Sequence, residues 1–483
     1  WAIKRGYAAA AEGLVRDGLQ RQKIALARDD SDSPSAVSMC NPSSITCDTQ
    51  VVFHTAQSAI ELVAEDGEVT PVQSHPVNTK WYRHEAPVQG VESFGMRVYT
   101  VRRADTVPPP AFAADGWTLS GPAETVEIDP GTGAVRRLET GGCTKNRVDE
   151  ATAGVNEVCF YEVDGVPQRP FRNGLEDPVS FGQVPLAEVR RLGATSGVHS
   201  ASLTIERRLQ AHDDQTVVVQ TQYTLDRLGL RIRNRVSKRH LHEKEALFFA
   251  FPFAMEKPFR FDIEQQGQIT RFPEERLAGS TNHNLGAQHF VSVSDTSSQA
   301  VLSILQACVV ALGKPSYYHY GMEYQEIASP TVYSYAFNNL WDTNCPIRQD
   351  GDLDFEYHVS VFDQPYCPLT AYRASRAALA PPSVFPGHLS EAGLHTDATN
   401  LLSVSADNIV VDAVRPCTDG AWRVRLAEMA REPTECDVTL APGRFSAFGL
   451  SGGADDGVEW QAVESDGLSL GFRAAEFKTL HLR

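Results

Sequence analysis

The sequence lacks long apolar runs and has no excess of basic residues. Nowhere in its 483 residues do about 18 consecutive apolar residues occur, the length that a transmembrane helix needs. Acidic residues outnumber basic ones by 61 to 44, which gives a formal net charge of −17. A chain of this charge is a poor partner for nucleic acid or for an anionic membrane surface. We therefore expect neither a nucleic-acid partner nor a membrane partner.

Cysteine pairing motifs and glycosylation sites are also missing. The nine cysteines form no CxxC pair, and no asparagine begins an N-x-S/T sequon. Cys40 and Cys47 are the nearest two cysteines, with six residues between them. An odd and dispersed set is typical of reduced thiols rather than of a disulfide framework. We expect a cytoplasmic protein of a bacterium or archaeon.

Several common catalytic signatures do not occur either. The sequence has no G-x-S-x-G motif, and its glycine-rich segment LSGGADDG (450–457) lies between strand patterns and not before a helix. A serine nucleophile elbow and a phosphate loop are therefore not indicated. Carboxylates are abundant, but sequence alone cannot place two of them at the separation that a glycosidase requires.

One histidine pair could serve acid–base or metal chemistry. In RHLHEKEALFFAFPF (239–253), His240 and His242 would share one face of a strand, with Glu243 and Glu245 on the other. Two imidazoles on one face can begin a zinc site, but a third ligand and an open position are needed. Spacing alone rarely suffices, so a solvated strand that leads into a buried segment is the favoured interpretation.

A second pair, His395 and Asp397, occurs in GLHTDATN (393–400). A His-x-Asp pair can also begin a zinc site when other ligands converge on it. This one follows a proline-rich segment and precedes a strand pattern, so a loop or turn is favoured. We predict no metal ligand in this chain.

The positive signal of the sequence is the two-residue period of β-strands. In DFEYHVSVF (354–362) apolar and polar residues alternate, and VVVQTQYTL (217–225) and AWRVRL (421–426) show the same period. EIDPGTGAV (127–135) predicts two strands around a turn. Strands this numerous, separated by turn signals, predict a mainly β protein built from sandwiches.

Two proline-rich segments and one helical pattern divide the chain. Residues 4–28 place apolar side chains at helical spacing and predict one amphipathic helix, whose packing partners are mostly missing from the sequence. Because the chain begins at Trp1 inside this pattern, we interpret it as a piece of a longer protein. TVPPPAFAADG (106–116) and LAPPSVFPG (379–387) predict breaks between β-modules.

The segment YSYAFNNLWDTN (333–344) combines a strand pattern with three asparagines and a tryptophan. The alternation through Tyr333, Tyr335 and Phe337 predicts a strand, which stops where the asparagines begin. A strand that ends in an Asx-type turn, with the tryptophan as an apolar plug, explains most of this composition. The functional alternative is a rim where the tryptophan stacks on a sugar and the amides bind its hydroxyls.

The same segment, followed by RQDGDLDFEYHVSVF (348–362), resembles the C-terminal β-region of glycoside hydrolase family 38, the α-mannosidases, in its bacterial-type branch. Other segments resemble that region in the same order along the chain. They are NPSSIT (41–46), FGMRVYTV (94–101), EIDPGTGAVRRL (127–138), EKEALFFAFPF (243–253), RLAGSTNHN (276–284), LSILQACVVALG (302–313), IVVDAVRPCTDGAWRVRLAE (409–428) and AAEFKTLHL (474–482). No single motif is decisive, and the resemblance rests on their collinearity.

The resemblance implies a fold of four parts. These are a helical-bundle remnant (1–30), a small β-sandwich (31–110), a large galactose-mutarotase-like supersandwich (111–378) and a terminal β-sandwich (388–483). It also implies a parent enzyme that hydrolyses α-mannosides with retention and uses zinc. The catalytic carboxylates and the zinc ligands of the family belong to an N-terminal domain, so no catalytic residue and no cofactor is assigned to this chain.

We therefore expect the chain to be the non-catalytic C-terminal part of such a mannosidase, supporting and walling the active site of an N-terminal catalytic domain. The expected ligand of this chain together with that catalytic domain is an α-mannoside or a related carbohydrate. Asn338, Asn339, Trp341 and Asn344 are the candidate residues facing substrate. The alternatives are a free-standing carbohydrate-binding module and an epimerase-like enzyme that uses His240 or His242.

Overall fold

The computed structural model describes most of the chain from residue 32 onward. The described residues are 32–106, 108–164, 180–211, 215–239, 244–316, 326–339, 351–387, 402–417, 420–451, 458–464 and 467–483. They form two compact units. The supersandwich unit is Pro109–Cys367, and the split unit combines the described parts of Ala2–Pro108 and Pro368–Arg483.

The split unit begins with a small β-sandwich of seven strands. Its strands are β1 Ala36–Cys40, β2 Cys47–Thr55, β3 Ile60–Val63, β4 Val69–Pro71, β5 Gln73–Pro76, β6 Tyr82–Val91 and β7 Met96–Arg103. One sheet has the order β1-β7-β3-β4 and the other β2-β6-β5. Alternate residues of both sheets, such as Met39, Phe53 and Leu62, pack into one core, as expected for facing sheets.

The supersandwich unit contains the next nineteen strands. They are β8 Ala113–Asp115, β9 Thr118–Ser120, β10 Thr125–Ile128, β11 Val135–Glu139, β12 Glu157–Asp164, β13 Ser180–Gln183, β14 Leu186–Thr195, β15 Ser200–Gln210, β16 Thr216–Asp226, β17 Gly229–Lys238, β18 Glu245–Pro252, β19 Arg260–Gln265, β20 Gln268–Phe272, β21 Leu285–Gly286, β22 Phe290–Ser294, β23 Gln299–Ile304, β24 Val309–Leu312, β25 Thr331–Asn338 and β26 Gly351–Phe362.

Three sheets build this unit. The largest has nine strands in the order β14-β15-β16-β17-β26-β23-β22-β19-β20, and a six-stranded sheet has the order β13-β12-β18-β25-β24-β21. A four-stranded sheet, β11-β10-β9-β8, completes it. Side chains of all three sheets, including Leu119, Phe249 and Tyr357, join one apolar core. The alternation read from the sequence thus places one face of long strands such as β15, β16 and β26 in this core.

A helix and one further strand follow in the split unit. Helix α1, Pro368–Leu379, begins with proline at its first position, where the missing N–H costs nothing, and has Arg376 in its last turn. Strand β27, Ser383–Pro386, pairs antiparallel with β1. The proline-rich segment 379–387, predicted as a break, therefore adds an edge strand to the small sandwich.

The last part of the split unit is the terminal β-sandwich. Its strands are β28 Leu402–Val404, β29 Ile409–Pro416, β30 Trp422–Glu428, β31 Thr434–Leu440, β32 Ala447–Ser451, β33 Gln461–Ala462, β34 Gly467–Phe472 and β35 Phe477–Leu482. Sheets β28-β31-β34 and β29-β30-β35-β32-β33 share a core that includes Leu426, Val438 and Leu480.

The prediction of a mainly β protein with several sandwich sheets is confirmed. Helix α1, which the sequence analysis did not predict, is the one helix among the described residues. None of the described helical structure is long and apolar enough to cross a membrane. The predicted helix at residues 4–28 lies outside the described residues, and the predicted domain boundaries remain predictions.

Candidate functional site

The candidate segment YSYAFNNLWDTN begins inside β25, which ends at Asn338. The pairing of β25 with β18 shifts register between Leu247 and Phe248, because Ala336 is an extra residue in β25. Such a bulge moves the following side chains to the opposite face of the sheet. Tyr335 therefore stacks on Phe248, with ring centroids 4.2 Å apart, whereas Phe337 belongs to the sandwich core.

Asn339 fixes the end of β25 to the start of β18. Its side chain is almost fully buried. Its Oδ1 accepts a hydrogen bond of 2.6 Å from the Glu245 N–H, and its own N–H donates to the Glu245 carbonyl at 3.1 Å. Lys244 Nζ donates to the Asn339 carbonyl at 3.2 Å. The amide oxygen of Asn339 thus satisfies a buried backbone donor of the neighbouring strand, 94 residues away in sequence, rather than the local backbone N–H that an Asx-type turn would use.

A buried ion pair lies beside this strand end. Lys238 is the last residue of β17 in the nine-stranded sheet, and Glu245 is the first of β18 in the six-stranded sheet. Their side chains, each 1% exposed, form a salt bridge, and Lys238 Nζ lies 5.2 Å from the ring centroid of Phe337. Charges this deeply buried are paired because desolvation would otherwise disfavour them strongly.

We call Lys238, Lys244, Glu245 and Asn339 the strand-end clamp. Its contacts join the two large sheets of the supersandwich unit at one end. The sequence pattern gave no indication of a role for the two lysines and suggested a solvated strand at Glu245, but Glu245 is buried. A glutamate directly before the apolar run ALFFAFPF was the available signal, since a charge there needs a partner.

A second buried polar group lies in the same unit. The guanidinium of Arg207 is fully buried and donates to the Asn156 carbonyl at 2.7 Å, to Thr221 Oγ1 at 2.5 Å and to Asn234 Oδ1 at 3.3 Å. Asn156 Nδ2 donates to Asn234 Oδ1 at 3.0 Å and to the Tyr223 hydroxyl at 3.1 Å. We call these five residues the arginine network.

The arginine network holds a cation with neutral oxygens. Among the described residues, no carboxylate lies within ion-pair distance of Arg207. Burial lowers the pKa of this guanidinium below its ordinary value. Asn156 has a φ of 64°, in the left-handed region that asparagine tolerates better than most residues. The network therefore stabilises a backbone turn as well as a buried charge.

Most of the other predicted site residues lie outside the described residues. They are Trp341, Asn344, His240, His242, Glu243, His395 and Asp397. Asn338 is described as half-buried at the end of β25, opposite Ala246. Within the described ranges, no three His, Cys, Asp or Glu side chains are grouped so that they could hold a metal ion. The assignment of Asn338, Asn339, Trp341 and Asn344 to a substrate-facing rim remains a prediction.

No family model matches the chain, and no curated protein sequence matches it. Solved structures do match. An α-mannosidase from Enterococcus faecalis V583 superposes with a TM-score of 0.67 at 13% identity, over 98% of this chain and 59% of that one.

A second solved structure is a protein of glycosyl hydrolase family 38 from Enterococcus faecalis, with a TM-score of 0.65 and 14% identity, over 97% of this chain and 60% of that chain. A galactose mutarotase-like protein from Clostridium acetobutylicum matches with 9% identity, over 52% of this chain and 95% of that chain. Its TM-score of 0.31 is too low to show a common fold. For the two Enterococcus faecalis structures, the likeness at these identities shows a common fold. The chain spans 59% and 60% of the lengths of the first two structures, and it has the fold of that part of them.

Proposed function

We propose that this chain is the C-terminal, non-catalytic part of an α-mannosidase-like glycoside hydrolase of the bacterial-type branch of family 38. The observation that carries the proposal is the superposition of 98% of this chain on 59% of a solved α-mannosidase. The collinear sequence resemblance supports it independently. In this proposal the chain docks on an N-terminal catalytic domain of the same protein and walls one side of its cleft.

The zinc ion of such an enzyme would be held by the N-terminal domain. The described residues of this chain do not fit a zinc site, because they bring no three suitable donors together, and a catalytic site needs three protein ligands. The carboxylates that cleave an α-mannoside would belong to the same N-terminal domain.

The strand-end clamp would fix the end of β25, after which Trp341 and Asn344 follow in the sequence. Asn339 is held there by two hydrogen bonds to Glu245. We propose that Asn338 and the residues after it meet the catalytic domain and border its substrate. The protein would act in the cytoplasm of a bacterium or archaeon, which cell fractionation with a specific antibody tests.

The proposal predicts that the isolated chain does not hydrolyse a chromogenic α-mannoside. The assay is run on the purified chain with and without added zinc, beside a known α-mannosidase as a positive control for substrate and buffer. We expect no turnover above the buffer blank in either condition. Zinc-dependent turnover by the isolated chain would contradict the proposal, because it would place a complete catalytic site within these residues.

A further inference from the structure

Four neighbouring strands of the nine-stranded sheet carry polar side chains on the face that points away from the core. The strands are β15, β16, β17 and β26. Their register aligns these side chains in two rows that cross the strands. The first row is Thr204, Gln222, Arg233 and Glu356. The second row is Glu206, Gln220, Arg235 and Asp354.

A groove of about 480 Å³ runs over these rows. We call it the polar groove. Thr204, Gln220, Gln222 and Gln306 line it together with the two arginine–carboxylate pairs of the rows. Its volume lies within the ~300–1,000 Å³ that is usual for small-molecule sites. Ten of its eleven lining residues carry hydrogen-bonding side chains, so a ligand rich in donors and acceptors suits it.

The charges that line the groove cancel. Arg233 binds Glu356 through two hydrogen bonds of 3.0 and 3.4 Å, and Arg235 binds Asp354 at 2.9 and 3.2 Å. Two cations thus face two anions, which leaves no net charge to attract a phosphate or a metal ion. Each guanidinium has five N–H groups and uses two of them on its carboxylate, so donors remain for a ligand.

Two neutral side chains of the groove are not engaged by other side chains in the described part of the chain. Among the described residues, neither the Thr204 hydroxyl nor the Gln222 amide has a side-chain hydrogen-bond partner. The two lie directly opposite each other on β15 and β16. The Gln222 amide offers donors and an acceptor side by side, and a hydroxyl offers both as well. This pair can bind neighbouring hydroxyl groups of one ligand.

The floor of the groove is rigid. Between the two rows, Thr221 and Asn234 point inward from β16 and β17 and belong to the arginine network. The strands that carry the polar rows are therefore fixed from behind by buried hydrogen bonds. Binding groups held by such a supporting layer lose little conformational freedom when a ligand binds.

We propose that the polar groove is a binding site for a neutral carbohydrate. A sugar presents many hydroxyls and no charge, which matches a lining of amides, a hydroxyl and neutralised guanidinium groups. No exposed aromatic ring is among the lining residues, since Phe355 is buried. Stacking against a sugar face therefore contributes nothing, and the affinity falls in the millimolar range. The proposal does not depend on the mannosidase assignment.

The test is a titration of the whole chain with mannobiose and maltotriose, followed by calorimetry or by saturation-transfer NMR. Glucuronic acid is the anionic probe. We expect at least one neutral sugar to bind more tightly than the anionic probe. Thr204→Val and Gln222→Ala should each weaken that binding about tenfold, as expected for the loss of about one hydrogen bond. Neither change removes a side-chain hydrogen bond within the described part of the chain, so the melting temperature should stay unchanged.

The chain offers a matched control on the same two strands. Gln210 and Thr216 are opposite each other at the far end of β15 and β16, on the same face but outside the groove. Gln210→Ala and Thr216→Val should leave binding unchanged. The proposal is overturned if neither neutral sugar binds at tens of millimolar, if the anionic probe binds more tightly, or if the control changes weaken binding as much as the groove changes do.

Discussion

The two faces of strands β15, β16 and β17 both carry arginine, but one face is buried in the core and the other is exposed to solvent. On the inner face, Arg207 is fully buried and is held by neutral oxygens of Asn156, Thr221 and Asn234. On the outer face, Arg235 is 55% exposed and binds a carboxylate that is 59% exposed. The buried arginine has no anionic partner among the described residues, whereas Arg235 binds the Asp354 carboxylate and is exposed to solvent.

The difference shows where polar contacts matter for stability in this fold. An exposed ion pair contributes about 0–1 kcal/mol, because water already solvates both charges. Buried acceptors that lose their donor cost about 1–3 kcal/mol each, because no water replaces it. The inner face should therefore be sensitive to substitution and the outer face tolerant, which leaves the outer face available for binding.

The largest predicted effect is that of Arg207→Met. The change removes the donor of the Asn156 carbonyl and of Thr221 Oγ1, whereas Asn234 Oδ1 keeps its bonds from Asn156 and Thr221. We expect a loss of about 2–4 kcal/mol in the free energy of unfolding of the supersandwich unit. Denaturant titration followed by hydrogen exchange in β15–β17 measures it. Arg235→Met is the matched control and should cost much less, because water solvates this side chain and its carboxylate partner.

The comparison would fail if Arg207→Met proved as stable as the parent chain. Such a result would mean that the desolvation free energy of the guanidinium equals the stabilisation from its hydrogen bonds. Apolar residues can replace some buried ion networks for this reason. Equal losses for Arg207→Met and Arg235→Met would also contradict the distinction between the two faces.

The next effect is a dependence of stability on acid pH that arises from His358. This side chain lies on the outer face of β26 but is buried, opposite Arg231 and Ser303. Burial, with a smaller contribution from Arg231, lowers its pKa to about 3. Below about pH 6.5 the His358 imidazole binds a proton in the unfolded chain, whereas in the folded chain it stays neutral until about pH 3. Stability is therefore lost as the pH falls from about 6.5 towards 3.

Replacement of His358 by leucine should remove this loss. At pH 4 the parent chain should have lost about 3 kcal/mol through this residue, relative to pH 7, and the His358→Leu chain should show a correspondingly flatter curve. Unfolding free energies of both proteins from pH 7 to pH 4 measure the difference. Parallel curves for the two proteins would contradict a neutral, buried His358.

The smallest of the three effects is that of Asn339→Ala. The change removes the acceptor of the buried Glu245 N–H and should cost about 1–3 kcal/mol. Asn78→Ala is a control, since Asn78 Oδ1 also accepts backbone N–H bonds, from Lys80 and Trp81, but in an exposed turn. Thermal unfolding of both variants should show the larger shift for Asn339. Equal shifts in melting temperature for the two variants would contradict a larger stabilising contribution from the buried hydrogen bond of Asn339.

The sequence predicted the strands well because their period is local. The pattern of residues 354–362 corresponds to β26, that of 217–225 to β16 and that of 421–426 to β30. The hairpin predicted at 127–135 is formed by β10 and β11. In each of these segments the alternation of apolar and polar residues alone places one face towards a core.

Features that depend on distant residues could not be predicted. The bulge at Ala336, which separates Tyr335 from Phe337, exists only in the pairing of β25 with β18. The partner of Asn339 is Glu245, 94 residues away in sequence. Helix α1 was missed although alanine, leucine and arginine, which are good helix formers, make up most of its sequence. Its buried residues are Ala371, Tyr372 and Ser375, so only one large apolar side chain marks its inner face.

The polar groove was missed for the same reason. Gln220 and Gln222 are visible in the sequence as the polar half of one strand, and Arg233 and Arg235 as that of another. Only the register of four strands places them in rows. Polar residues at alternate positions of several long strands were the available signal, but such a pattern does not give the order of the strands in the sheet.

The most direct test compares two proteins expressed from the reading frame that contains this chain. One is the full-length product, and the other is truncated before Trp1. The mannosidase proposal predicts zinc-dependent hydrolysis of a chromogenic α-mannoside by the full product, and its loss when the protein is truncated before Trp1. Undiminished hydrolysis by the truncated protein, or none by a folded full-length product, would contradict it.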